Sequence, residues 1–168
     1  MANEVVAVDE MTQASAAKGR VREQVGDVVG CVVVGVDGSA CSDQALRFAA
    51  HEAELRRCPL IVVRAWSITT APRRLRASDG VVPPLSVYES AVASAMSDEV
   101  VTVLGEQPVC QVELRPVHDS AVDVLVAATE HAALTVVGSR CHNVVSGLLG
   151  SVSEHVVRHA RGPVTVVH

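Results

Sequence analysis

The chain has 168 residues, of which 49% are hydrophobic and 20% charged, values that suit one folded domain with a real core and exclude a disordered chain. A formal net charge of -5 with dispersed basic residues excludes broad contact with nucleic-acid phosphates. An interrupted, polar N-terminus and the lack of any apolar run near ~20 residues give no sign of a signal peptide or a membrane span. Five cysteines without a CxxC pair suggest neither a disulfide framework nor a zinc site, so a reduced cytoplasmic protein is expected.

Residues 1–27 are small, polar and mixed in charge, and read as a flexible arm or a frayed helix ahead of a domain spanning 28–168. Gly30-Cys-Val-Val-Val-Gly-Val36 is a short apolar run of the kind that forms a strand buried on both faces of a parallel sheet. Asp37-Gly38-Ser39 breaks it. Ser42 offers an N-cap, Asp43 suits the first turn, and apolar residues follow at helical spacing to Leu55. Arg56-Arg57 suit the helix end, and Pro59 stops it. Leu60 to Val63, running on to Trp66, reads as the second strand.

Ser67 to Leu85 carries three prolines and Gly80 and reads as a long loop. Loops of that length are uncommon unless functional or mobile. Arg73, Arg74 and Arg76 within it read as a solvated group rather than a phosphate patch. A helix is predicted over 87–104 and a strand over 109–117. A helix capped by Asp119 or Ser120 follows, through Thr129. Strands at 134–138 and 163–167 enclose a loop and a helix over 151–160.

Strands alternating with helices imply a parallel sheet covered on both faces. The expected architecture is α/β: a single doubly wound, Rossmann-like, five-stranded sheet of order 3-2-1-4-5. Ligands in such sheets sit at the carboxyl ends of the strands, where the strand order reverses. Gly35-Val36-Asp37, the Ala65-Trp66 region and the loop after Val137-Gly138 should converge there.

The informative stretch runs from Gly138 to Ser151. A glycine-containing loop leads from a strand to a helix N-terminus, where unpaired N–H groups and the positive dipole end favour an anion. Ser151 and Ser153 add hydroxyls in the first turn. The same pattern also fits a tight turn with a serine cap. Asp37 could contact a ligand, act as a base or metal ligand, or simply cap the helix after it. His155 and His159 are i, i+4 on one helix face; with no third ligand evident they read as a surface pair. His142 reads as an exposed loop residue, and Cys141 as an inert thiol rather than a redox-sensitive one. No Ser-His-Asp arrangement, HExxH or P-loop occurs.

Residues from about Cys31 to Val167 resemble the universal stress protein family. The pieces that carry the resemblance are Val34-Gly-Val-Asp-Gly-Ser39, Val63-Arg-Ala-Trp66, Val136-Val-Gly-Ser-Arg140, Ser146-Gly-Leu-Leu-Gly-Ser-Val-Ser-Glu-His-Val-Val157 and Pro163-Val-Thr-Val-Val167. They occur in family order, and the combination is most similar to actinobacterial members. The resemblance implies an adenine nucleotide alpha-hydrolase-like fold. The nucleotide-binding branch carries G-x2-G-x9-G-[ST], in which an Asp after the first strand contacts the nucleoside and the glycine loop cradles phosphates. Carried over, these roles fall on Asp37 with Gly35 and Val36, on Ala65, on Val137, Gly138, Arg140 and Cys141, and on Gly150, Ser151, Val152 and Ser153.

The chain departs from that pattern. Cys141 replaces the second glycine, the spacing from Cys141 to Gly150 is one residue short, and Asp119 stands where the family commonly has glycine. The resemblance therefore implies a nucleotide-responsive module whose ATP binding is weak or absent. The alternatives are a dimeric interaction protein that binds no nucleotide and, more weakly, a slow ATP hydrolase. Family members resembling this chain dimerise through the last strand, so a homodimer with Val164 and Val166 near the interface is expected, without nucleic-acid or membrane partners.

Overall fold

The computed structural model describes residues 19, 21, 23, 25–71, 83–139 and 150–168. In chain order the elements are β1 (Val32–Gly35), α1 (Ala40–Arg56), β2 (Leu60–Ala65), α2 (Leu85–Leu104), β3 (Val112–Val117), α3 (Ala121–Ala128), β4 (Leu134–Gly138), α4 (Ser151–His159) and β5 (Val164–Val167). The five strands form one sheet of order β3-β2-β1-β4-β5, and every neighbouring pair is parallel. Fold class and strand order are those expected.

Valine makes this sheet because its branched Cβ suits a pleated surface covered on both sides. Alternation then sorts the side chains. Val32 and Val34 of β1, with Leu60 and Val62 of β2, face Ala45, Leu46 and Ala49 of α1 and Tyr88, Val92 and Met96 of α2. Val33, Ile61 and Val63 face the other way, against Val124 and Ala128 of α3. Val32, Val33 and Val34 are all fully buried, as a central parallel strand requires. Trp66, just beyond β2, sits between Tyr88 and His118, with ring centroids 6.3 Å and 4.5 Å away.

The last part of the segment read as a flexible arm or a frayed helix is partly helical and packs on the domain. Residues 21 and 25 are helical, and Val21, Val25 and Val28 are buried against Ile61, Val63 and Val117. The Arg115 guanidinium of β3 donates to the Val25 carbonyl. The spacing of these three valines, four and then three residues, is helical and puts them on one side. The charges between them masked that signal.

Two caps differ from expectation. Ser39, not Ser42, caps α1: its Oγ accepts from the Ser42 N–H at 3.2 Å. Ser120 occupies the N-cap of α3, but no side chain caps that helix. Asp119 Oδ1 accepts from the Ser120 N–H at 2.7 Å.

Candidate ligand cleft at the carboxyl ends of the strands

At the centre of the sheet the chain runs from β1 up into α1 and from β4 up into α4. α1 packs on one face of the sheet and α4 on the other, which opens a crevice between the strand ends. A cavity of about 240 Å³ occupies it.

Each sequence-predicted residue can now be placed. Gly35, Val36 and Asp37 line the cavity from the end of β1, Ala65 from β2, and Val137 and Gly138 from β4. Gly150, Ser151, Val152 and Ser153 line it from the start of α4. Arg140 and Cys141 lie outside the described residues, as does His142. Asp119, which stands where the family commonly has glycine, is not among the lining residues; its carboxylate accepts from the backbone N–H of Ser120.

The sequence reading missed Ser39, Ser42, Val63, Ala121, Leu125 and Ser139 as lining residues. Leu125 carried a signal, since α3 follows β3 and must cross the open end of β1. The serines carried none beyond their capping propensity.

Local chemistry fixes these positions. Asp37 Oδ1 accepts from the Ser39 N–H at 3.0 Å, which holds the carboxylate at the mouth of α1. Gly138 is demanded by a close approach: a Cβ there would meet the Cys41 carbonyl oxygen at 2.8 Å. The Ser153 hydroxyl donates to the Gly138 carbonyl at 2.6 Å, and Ser153 is buried. The hydroxyl expected to serve a ligand is therefore committed to the protein.

The start of α4 is different. Gly150 is its N-cap, and among the described residues no side chain caps it. The first-turn N–H groups of a helix have no intrahelical acceptor, so those of Ser151 and Val152 present positive partial charge at the cavity wall. Asp37, at the end of β1, and the apolar Val63, Ala65 and Val137 line the same cavity.

Behind the Asp37 turn, Arg64 of β2 pairs with Glu99 of α2 at 2.6 Å. Burial holds the Glu99 carboxyl above the usual carboxylate range, although Arg64 and a hydrogen bond from Ser42 pull it the other way. Burial likewise raises the thiols of Cys31 and Cys110. Those two and Cys58 are free.

Among the described residues no group of three or more His, Cys, Asp or Glu side chains could hold a metal ion. His155 and His159 stack with centroids 5.9 Å apart, each Nδ1 at 2.9 Å from the carbonyl four residues back. Among the described residues no helix is long and apolar enough to cross a membrane.

A parallel 3-2-1-4-5 sheet with an open helix N-terminus at its switch point defines an α/β protein of the adenine nucleotide alpha-hydrolase-like class. A sequence model described as the universal stress protein family matches residues 31–168, and the chain belongs to that family. It is 30% identical over 154 residues to a universal stress protein of Mycobacterium tuberculosis, covering 81% of this chain and 47% of that one. It is 33% identical over 141 residues to one from Mycolicibacterium smegmatis, with 82% and 47% covered. The chain thus spans about half the length of the curated relatives it matches. Among solved structures, a universal stress protein in complex with cAMP is 28% identical, with a TM-score of 0.57 and 84% of this chain and 98% of that chain covered.

Proposed function

We propose that this chain is a nucleotide-responsive binding module whose ligand class is an adenine nucleotide, acting in the cytoplasm, and that it is not a catalyst. The observation that carries the reading is the N-terminus of α4, without a side-chain cap among the described residues, at the wall of a cavity also lined by Asp37 and by Val63, Ala65 and Val137. A phosphate suits the N–H groups of Ser151 and Val152. A nucleoside hydroxyl suits Asp37 as hydrogen-bond acceptor. The base suits the apolar surface of Val63, Ala65 and Val137. The solved relative with cAMP bound supports the same ligand class.

ATP binding is expected to be weak. In sequence, Cys141 stands where the nucleotide-binding branch of the family has its second glycine, and the spacing from Cys141 to Gly150 is one residue short. The dissociation constant for ATP with Mg²⁺ should be weaker than ~10 µM, a binding free energy under roughly 7 kcal/mol. Titration calorimetry with ATP–Mg²⁺ and with AMP tests this. A sub-micromolar constant for ATP contradicts the weakened loop, and no heat with either nucleotide removes the ligand class.

A second reading is supported by the sheet edge. β5 is an outer strand whose Val164, Thr165, Val166 and Val167 are all half-buried. An apolar edge strand invites pairing, and the same strand of a second copy satisfies both edges about a two-fold axis. The homodimer belongs to either reading. A dimer that binds neither nucleotide would leave the interaction protein standing alone.

A further inference from the structure

Behind the cleft lies a group of polar side chains, Arg64, Glu99 and Ser42, of which Ser42 also lines the cavity. Arg64 follows Val63 and precedes Ala65, both of which line the cavity, and strand alternation turns its side chain to the other face. There Nη2 donates to Glu99 Oε2 at 2.6 Å, and the two side chains are 16% and 10% exposed. Ser42 Oγ donates to the Ser39 carbonyl at 2.8 Å and lies 3.2 Å from Glu99 Oε1. The guanidinium also fills the space beneath Gly38: a Cβ there would lie 3.0 Å from Arg64 Nη2, and φ is +82°. Among the described residues the buried Arg64 Nε has no hydrogen-bond partner.

Such a group is costly. Two charges leave water, one donor goes unmet, and apolar residues of similar volume would often serve stability as well or better. What the group does achieve is geometric. Arg64 comes from β2, Glu99 from α2 and Ser42 from α1, and the three meet beneath the turn that presents Asp37.

We infer that Arg64 and Glu99 are positioning residues for the cleft: together they set the Asp37–Ser42 turn and join it to α2, so that occupancy of the cleft and the packing of α2 respond to one another. The coupling rests on the nucleotide reading of the cleft, whereas the positioning does not.

The test uses two variants of the full chain. Arg64→Met with Glu99→Leu removes both charges together and leaves no lone buried ion. Arg64→Lys keeps the charge but loses the planar fork. Amide hydrogen exchange is read over residues 37–42 and 96–103 with and without AMP, beside calorimetry and melting. The double variant should melt at or above the parent, yet exchange at 37–42 should be about tenfold faster and AMP affinity about tenfold lower, with Arg64→Lys intermediate. A merely structural role would not loosen the turn while keeping global stability. If the double variant does not fold, Arg64→Lys carries the same comparison. Unchanged exchange at 37–42 in the folded variant overturns the positioning. AMP that protects 37–42 of the parent but not 96–103 overturns the coupling. A parent that binds no AMP removes the nucleotide reading and the coupling with it, and the exchange comparison still decides the positioning.

Discussion

Ser153 and Gly138, fifteen residues apart in sequence, meet in a 2.6 Å hydrogen bond from the serine hydroxyl to the glycine carbonyl. The bond fastens the first turn of α4 to the end of β4 and fixes where the open N–H groups of that helix point. Ser153→Ala leaves a carbonyl without its partner in a buried site. It should cost about 1–2 kcal/mol of stability in urea denaturation, and nucleotide affinity should fall with it. A variant as stable as the parent would mean that the bond does not hold the helix.

Asp37 is expected to act on ligand rather than on the fold. Its only hydrogen bond described here is to the Ser39 N–H at 3.0 Å, in an exposed turn where water can replace it. Asp37→Ala should weaken AMP binding by about 1–3 kcal/mol through loss of a charge-assisted hydrogen bond. The melting temperature of the free protein should change little. Equal affinity in parent and variant would take Asp37 out of the site.

The Glu99 carboxyl gives a pH dependence with a definite sign. Burial raises it, Asp43 and Asp37 add to the rise, and Arg64 and the Ser42 hydrogen bond oppose it. The folded state therefore holds this proton more tightly than the unfolded chain does. The contribution is most favourable below the ordinary glutamate value of about 4.3 and is lost as pH rises through the folded value. Glu99→Gln does not titrate. Its stability relative to the parent should thus improve between pH 4 and pH 7 in paired urea melts, and a difference that moves the other way would show that Arg64 outweighs burial.

Assembly is tested at β5. Val166→Asp places a charge on the outer strand, and light scattering should report monomers or aggregates where the parent is a dimer. Because Val164 and Val166 also touch the small cluster around Val156, a melting curve must accompany the measurement. A stable parent monomer at micromolar concentration would refute pairing through this edge.

The sheet was legible because its signals are redundant. Val32 to Val34 form a fully buried apolar run, Pro59 and Pro163 mark strand entries, and the helices between them keep a clear period. The backbone of the cleft was legible for the same reason, since strand ends and helix starts follow from element order. What escaped was the use of individual hydroxyls. Ser39 and Ser42 both suit a cap, and only the turn at Asp37 decides that Ser39 takes it. Ser153 looked like a ligand donor until the Gly138 carbonyl appeared beside it. The Arg64–Glu99 pair was invisible, because 35 residues separate the partners and neither stands in a recognisable motif.

The valines ahead of the family match bear on what counts as the domain. The match begins at residue 31, yet Val21, Val25 and Val28 cover Ile61, Val63 and Val117, and the Val25 carbonyl receives Arg115 from the outer strand β3. A protein shortened to residue 31 would keep every family signature and bare an apolar strip beside a sheet edge. The folding unit thus starts earlier than the recognition unit. Val21, Val25 and Val28 act as a shutter over part of one face of the sheet, and they lie outside the residues that the family match covers.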